Sequence, residues 1–189
     1  MSVELQTQRL LLRRWNESDL DPYSTICADS EVMRWIGNGH VHTRQQCADA
    51  IRSFERSWEE NGYGLFAVDR RDTGALIGFT GLAIPDFLPE VLPAVEIGWR
   101  LAKGAWGNGF ATEAAMAAMS YGFDACKLDR IVSIHQIGNA ASGKIMTKIG
   151  MTFERETIDP SCDRTVHVYE LVKENRPNAC NDAGSRLEE

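Results

Sequence analysis

Hydrophobic positions along this chain follow two different patterns. Short runs that are apolar, or that alternate apolar with polar residues, predict strands at residues 8–15, 63–69, 75–84, 94–101, 130–135, 151–158 and 165–171. Apolar residues three or four apart predict helices over residues 19–28 and 44–60, from residue 111 onward, and after Asn139. The order β-α-α-β-β-β-α-β-α-β-β predicts a layered α/β (α+β) fold whose sheet is mostly antiparallel.

The length of 189 residues suits one domain with a full-sized core. We expect this single domain to span residues 1–172. Residues 173–189 are polar, contain Pro177 and Gly184, and are predicted to form a flexible C-terminal tail.

Two predicted loops carry apolar and aromatic side chains. Residues 35–42 form a turn-rich loop that begins with Trp35. Residues 85–93 contain three prolines, which predicts a semi-rigid loop. The apolar side chains of this second loop, among them Leu88, either cover a ligand or a partner or fold back on the protein's own sheet.

The net charge of -7 argues against a general nucleic-acid-binding surface. An acidic surface is compatible with a cationic substrate, but it is also an ordinary property of soluble proteins. No apolar run reaches membrane length and no signal peptide precedes Leu10, so we expect no membrane partner. The five cysteines include no Cys-x-x-Cys pair, which favours free thiols in a reducing compartment and predicts a cytoplasmic location.

Two histidines in the loop at residues 35–42 are the first candidates for metal ligands. No cysteine or carboxylate stands at a ligand spacing beside His40 and His42. We therefore predict no metal site and expect both histidines to be exposed loop residues.

Residues 106–118 read Trp-Gly-Asn-Gly-Phe-Ala-Thr-Glu-Ala-Ala-Met-Ala-Ala and follow a predicted strand. Gly107 and Gly109 predict a bend whose backbone N–H groups face outward with no Cβ in the way. The helix that follows begins with unpaired N–H groups and a partial positive charge. Together these features predict a site for a phosphate or pyrophosphate, although an ordinary tight turn would look the same.

The glycine spacing narrows the choice of phosphate ligand. The pattern Gly-x-Gly-x-x-Thr ends in Thr112, where the dinucleotide fingerprint needs glycine or alanine, and no Gly-Lys-Ser/Thr ending of a nucleotide P-loop is present. Asp129 lies about twenty residues further on, but it precedes the next strand instead of ending it, so it is misplaced to hold a ribose. These departures disfavour a nucleotide-dependent oxidoreductase.

A second segment extends the pattern. The strand at residues 130–135 is followed by Asn-Ala-Ala-Ser, ending at Ser142, and then by Lys-Ile-Gly-Met, ending at Met151. The order Trp-Gly-x-Gly-x-Ala-Thr-Glu-Ala, strand, Asn-x-x-Ser, helix, Lys-x-Gly-Met resembles the GCN5-related N-acetyltransferase (GNAT) superfamily. Within it, the chain is similar to the RimJ/RimL branch, which acetylates N-terminal amines, over residues 6–171. One departure is Trp106, where the superfamily usually has Gln or Arg.

The resemblance implies a GNAT fold with helices on both faces of the sheet. The strands at residues 94–101 and 130–135 would run parallel and splay apart, and acetyl-CoA, the implied co-substrate, would lie in the cleft. The resemblance implies no metal, and a monomer or homodimer. The cofactor-binding positions that it implies are Ile97, Gly98, Trp106, Gly107, Asn108, Gly109, Phe110, Ala111, Thr112, Asn139 and Ser142.

Acetyl transfer needs a base, since a primary amine is mostly protonated at neutral pH. Glu96 is the candidate, because apolar neighbours in its strand would raise its pKa, and the alternative is a salt-bridged carboxylate on the solvent face. Ser142 is the candidate acid for the leaving thiolate, and Asn139 for a hydrogen bond to the pantetheine arm; helix capping is the alternative for both. A backbone N–H at Ile97 or Gly98 would hold the developing oxyanion.

The predicted function is transfer of an acetyl group from acetyl-CoA to a primary amine, with the N-terminal α-amine of a peptide or protein as the expected acceptor. Two alternatives remain open. One is a GNAT enzyme for a small amine, such as an amino acid, a polyamine or an antibiotic. The other is a non-catalytic acyl-CoA-binding protein on the same fold, against which the presence of both Glu96 and Ser142 argues.

Overall fold

The computed structural model describes residues 3–176, and a mixed sheet forms its centre. The strands are β1 (Leu5–Gln6), β2 (Leu10–Arg13), β3 (Leu65–Arg70), β4 (Leu76–Ala83), β5 (Val95–Leu101), β6 (Arg130–Gln136), β7 (Thr152–Asp159) and β8 (Arg164–Val172). They lie in the order β1-β2-β3-β4-β5-β6-β8-β7. Neighbouring strands are antiparallel except β5 and β6, which are parallel.

The helices are α1 (Leu20–Cys27), α2 (Ser30–Met33), α3 (Arg44–Asn61), α4 (Phe110–Asp124) and α5 (Ala140–Lys148). The start of α3 is fixed by a capping box, in which Thr43 and Gln46 exchange side-chain-to-backbone hydrogen bonds. Its end is fixed by Gly62, which has a φ of 74° and closes the helix in the left-handed conformation. Both boundaries therefore follow from local sequence.

Helices cover both faces of the sheet, as the alternation of side chains along β3 demonstrates. Phe66 and Val68 belong to a hydrophobic cluster with α4, whereas Leu65 and Ala67 pack with α1 and α3 on the opposite face. The small side chains of α4 bring this helix close to the sheet, and three of them are fully buried: Ala114, Ala115 and Ala118.

The loop at residues 85–93 folds back on the protein. Leu88 and Val91 are buried in a cluster with Val132 and Val168, on the face away from α4. Of the two alternatives that the sequence left open for this loop, the structure has the one in which it packs on its own sheet.

All seven predicted strands and all four predicted helices are present, with ends shifted by a few residues. The mostly antiparallel α/β architecture is confirmed. Only β1 and α2 were not predicted, since two and four residues are too short for a periodic signal.

Part of the predicted tail lies within the described residues. Lys173–Asn175 form a 3-10 helix, and the Arg176 guanidinium binds Asp124 of α4 at 2.7 Å. The rest of the tail, residues 177–189, lies outside the described residues. Within residues 3–176, no helix combines the length and apolar character needed to cross a bilayer.

Candidate active site

The strands β5 and β6 begin as neighbours and then separate. Their parallel pairing joins Val95 to Ile131 and Glu96 to Val132, and it ends there. Just beyond it, a side chain takes the place of backbone pairing, since the Ser133 hydroxyl donates to the Ile97 carbonyl at 2.8 Å. A cleft therefore opens between the carboxyl ends of two parallel strands, which is where open α/β sheets bind their ligands. The predicted splayed pair is confirmed.

The glycine turn lies at one side of this cleft. Gly107 and Gly109 have φ values of 76° and 78°, a conformation that side chains with a Cβ rarely adopt. A Cβ at Gly107 would meet no atom within 4 Å, and one at Gly109 would meet only the Arg9 Nη2 at 3.4 Å. The space beside both residues is therefore largely open. The first-turn N–H groups of α4, which begins at Phe110, have no intrahelical acceptors and can bind an anion.

An ion pair that the sequence did not predict holds this turn in place. Arg9 lies just before β2, and its Nε binds Glu113 of α4 at 2.7 Å. Its Nη1 donates to the Asn108 carbonyl at 2.9 Å, and the Thr7 hydroxyl donates to Glu113 at 2.6 Å. The N-terminal segment thus fixes a turn about one hundred residues away in sequence.

Two side chains of the turn support it from within. The Trp106 indole N–H donates to the Leu101 carbonyl at 2.8 Å, and the ring remains 46% exposed. The Asn108 amide donates to the Trp106 carbonyl at 2.9 Å, so its side chain shapes the turn. Any ligand contact at Asn108 would come from its backbone.

A cavity of about 410 Å³ fills the cleft. The end of β5, the glycine turn, the start of α5 and the segment around α2 form its walls. Glu96, Ile97 and Gly98 do not line it, but they lie one to three residues before Trp99 of β5, which does. Asn108 of the glycine turn does not line it either. The predicted site residues that line it are Trp106, Gly107, Gly109, Phe110, Ala111, Thr112, Asn139 and Ser142.

A larger hollow of about 710 Å³ lies between α1 and α3, with Trp15 and Glu55 on its walls. It contains none of the predicted site residues. Its charged lining includes Glu55 and Arg52, which are already paired with Arg14 and Asp49, so we assign the chemistry to the cleft between β5 and β6.

The start of α5 presents two of the predicted residues to the cavity. The Asn139 side-chain oxygen accepts from the Ser142 backbone N–H at 3.3 Å, which is a helix cap. The Ser142 hydroxyl makes no hydrogen bond to any residue within 3–176, so it is available to a ligand. Asn139 thus has a capping role that leaves its amide N–H₂ free, while Ser142 has an unused donor.

The Glu96 carboxyl is half-buried where the two strands part. Burial raises the pKa of Glu96 to about 8, and the negative charge of the buried Asp159 adds to the effect. The backbone N–H of Ile134, which has no pairing partner on β5, contacts the carboxylate and partly opposes the rise. The carboxyl can therefore take up and release a proton near neutral pH.

This shifted pKa makes folding stability depend on pH. Between about pH 4.5 and about pH 8 the folded protein holds a proton on Glu96 that the unfolded chain has lost. The contribution of Glu96 to the free energy of unfolding is therefore fully present below about pH 4.5 and is lost as the pH rises to about 8. We expect Glu96→Gln to unfold at higher denaturant concentration than the parent above about pH 8, and the difference to vanish near pH 4.5. Urea denaturation of both proteins across this range measures it.

The face of β5 that carries Glu96 looks away from α4. Alternation places Arg100 on the same face, and its Nη1 lies 3.3 Å from the Tyr23 hydroxyl of α1. Trp35 lines the cavity from the segment that follows α2. Trp35 and Arg100 thus line the same cavity as the glycine turn, and Glu96 lies four residues before Arg100 on the same face of β5.

Comparisons with known proteins identify the family of this chain. The family model for the acetyltransferase (GNAT) domain matches residues 9–152. The uncharacterized N-acetyltransferase YoaA of Bacillus subtilis (strain 168) is 31% identical over 175 residues, covering 89% of this chain and 96% of the relative. The uncharacterized N-acetyltransferase YnaD of the same organism is 32% identical over 152 residues, covering 80% of this chain and 84% of the relative.

Solved structures have the same architecture. A GNAT-family acetyltransferase from Bacillus anthracis superposes with a TM-score of 0.76 at 26% identity, covering 91% of this chain and 99% of that one. RimL, a ribosomal L7/L12 alpha-N-protein acetyltransferase solved in complex with coenzyme A, has a TM-score of 0.75 at 14% identity. The superposition covers 90% of this chain and 98% of RimL, and at this sequence identity it supports the fold alone. The chain belongs to the GNAT acetyltransferase family and is an acetyl-CoA-dependent N-acetyltransferase.

Proposed function

We propose that this enzyme acetylates the N-terminal α-amine of a peptide or protein, with Glu96 as the base and Ser142 as the acid. The observation that carries the proposal is the position of Glu96. Its carboxyl, with a pKa of about 8, lies where β5 and β6 separate, on the strand that leads into the cavity. The glycine turn lines this cavity.

The residues of the cleft fit the pyrophosphate and arm of acetyl-CoA. The bare turn at Gly107 and Gly109 leaves room for a phosphate beside the backbone, and the start of α4 supplies N–H groups. Acetyl-CoA supplies the activated thioester whose acetyl group is transferred. Asn139 and Ser142 would meet the pantetheine arm from the start of α5.

Glu96 would remove the proton from the attacking amine. A base works best when its pKa is near the working pH, and burial places the pKa of Glu96 at about 8. An α-amine has a pKa of about 8 as well, so proton transfer between the two is nearly balanced. A lysine ε-amine, with a pKa of about 10.4, would be harder for this base to deprotonate.

Two further groups would handle the charge that develops on the acetyl group and its leaving sulfur. The Ile97 carbonyl faces β6, where it accepts from Ser133, whereas the Gly98 carbonyl accepts from Thr80 on β4 at 3.0 Å. Since the N–H and C=O of one strand residue point to the same side, the Ile97 N–H is directed toward β6 and is the better oxyanion donor. The free Ser142 hydroxyl would give its proton to the thiolate.

The acceptor would enter from the face that carries Glu96 and Arg100. Trp35 on the cavity wall supplies aromatic surface for the first side chain of a peptide. The loop at residues 85–93 does not line the cavity, so the segment around α2 would set the acceptor preference.

A competition assay tests the acceptor class. The enzyme is offered acetyl-CoA with short peptides that have free or blocked N-termini, together with polyamines, amino acids and aminoglycosides. We expect mass spectrometry to find the acetyl group on free peptide N-termini, and blocked peptides to remain unmodified. Acetylation of the small amines alone would reject the N-terminal acceptor and leave the acetyltransferase activity intact. No transfer to any amine would reject the assigned chemistry.

A further inference from the structure

Outside the cleft, three metal-ligating side chains from three segments meet in the structure. Cys27 ends α1, His42 lies in the loop before α3, and Cys47 lies in the first turn of α3. The two sulfur atoms and a ring nitrogen all lie within 4.8 Å of one another. Both thiols are free and fully buried.

His42 has an unused nitrogen at this point. The ring is half-buried, and its Nδ1 is shielded from solvent and has no hydrogen-bond partner within residues 3–176. A buried imidazole nitrogen without a partner costs free energy unless a donor, a water or a metal ion satisfies it. In the neutral tautomer that carries its proton on Nε2, the Nδ1 atom has a lone pair that a metal ion can bind.

The backbone already holds the three groups in position. The His42 N–H donates to the Cys27 carbonyl at 3.0 Å, and the Cys47 N–H donates to the Thr43 carbonyl at 3.0 Å. Thr43 in turn caps α3. The ligands are therefore arranged by helix ends and loop contacts that do not depend on an ion, as expected of a preformed site.

We propose that Cys27, His42 and Cys47 bind a Zn²⁺ ion. Two thiolates and one imidazole are a donor set that zinc prefers, and three protein ligands leave a fourth tetrahedral position for a water molecule. Binding releases the two thiol protons to solvent and leaves a Zn²⁺ ion neutralised by two thiolates.

Arg100 supports the thiolate form. Its Nη1 lies 3.5 Å from the Cys27 sulfur, where it donates a hydrogen bond. A guanidinium beside a metal-bound thiolate stabilises the negative sulfur without competing as a ligand, since arginine has no free lone pair for the metal.

The metal site would stabilise one wall of the active-site cavity. Cys27 and His42 bracket residues 28–41, the segment that carries Glu31 and Trp35, and Arg100 lines the same cavity. A zinc ion would close this segment into a loop fixed at both ends, so its role would be structural. The proposal does not depend on which amine the enzyme acetylates.

The test uses the full chain, reduced and stripped with a chelator, and titrated with Co²⁺ as a spectroscopic substitute for Zn²⁺. We expect about one equivalent to bind with a thiolate-to-cobalt charge-transfer band that Zn²⁺ abolishes. Cys27→Ser, Cys47→Ser and His42→Gln should each weaken binding by about tenfold or more. Two matched controls, His40→Gln in the same exposed loop and Cys126→Ser away from the cluster, should bind as the parent does.

A measurement on the parent alone guards against variants that fail to fold. Zn²⁺ should raise its melting temperature, and a chelator should reverse this effect. Absence of the charge-transfer band in the reduced parent overturns the proposal, as does loss of binding in the His40→Gln control equal to that in His42→Gln. A Cys27–Cys47 disulfide in the freshly purified protein, with no metal bound after reduction, would identify the cluster as a thiol pair and also overturn it.

Discussion

Replacing Glu96 with glutamine should lower kcat by about 10²–10⁴-fold while leaving acetyl-CoA affinity unchanged. The amide has the same shape and still accepts from the Ile134 backbone N–H, so the junction of β5 and β6 should keep its structure. What the variant loses is the group that takes the proton from the amine. Steady-state kinetics with a free peptide acceptor, together with calorimetry of acetyl-CoA binding, separates the two quantities.

The pH profile identifies the role further. Below about pH 8 the parent should lose activity as Glu96 becomes protonated. This fall in activity should also occur with an acceptor whose amine has a much lower pKa, because it reports protonation of Glu96 and not of the amine. The fall should be absent from Glu96→Gln. Glu156→Gln, the same chemical change at an exposed carboxylate of β7, is the control and should retain parental turnover. Turnover of Glu96→Gln within a few-fold of the parent would make Glu96 structural.

The fold was predictable because its signals are local. The capping box at Thr43 and the left-handed Gly62 define α3 within a few residues of sequence. The loop at residues 85–93 was left open, since its prolines predict stiffness but not direction. Its direction is decided by distant partners, Val132 and Val168, which bury Leu88.

The site was predictable in its parts but not in its assembly. The glycines and the Asn-x-x-Ser motif carry short-range patterns that predict a turn and a capped helix. The separation of β5 from β6 came from the family resemblance, because nothing in either strand encodes the end of the pairing at Glu96 and Val132. The raised pKa follows from burial of the carboxyl and from the charge of Asp159, a residue that is distant in sequence.

Contacts between distant segments left no signal in the sequence at all. Arg9 supports the glycine turn across about one hundred residues, and no spacing rule connects it to Glu113. The same holds for Cys27, His42 and Cys47, which stand fifteen and five residues apart and match no metal-ligand spacing. The expectation of exposed histidines holds for His40, but His42 is half-buried against the two thiols.

Replacing Gly109 with valine should abolish acetyl-CoA binding in a protein that still folds. The residue precedes α4 with a φ of 78°, and a Cβ there would meet only the end of the flexible Arg9 side chain at 3.4 Å. The protein itself can therefore accommodate a Cβ at this exposed position. The space toward the phosphate cannot, because the backbone N–H groups bind an anion only when it approaches the chain closely. Calorimetry with acetyl-CoA measures the loss, and circular dichroism checks the fold.

The effect of backbone strain has to be separated from the loss of the phosphate site, and Gly62 is the matched control position. It has a φ of 74°, and a Cβ at this position would meet no atom within 4 Å, but the residue ends α3 outside the cleft. Gly62→Val should lose similar stability, on the order of 1–2 kcal/mol, and bind acetyl-CoA like the parent. Gly109→Asn should relieve the strain, since asparagine tolerates this conformation, and still bind poorly because its Cβ remains. If folded Gly109→Val binds acetyl-CoA with parental affinity, the phosphate does not bind at this turn. If Gly109→Asn restores binding, backbone strain alone explains the loss in Gly109→Val.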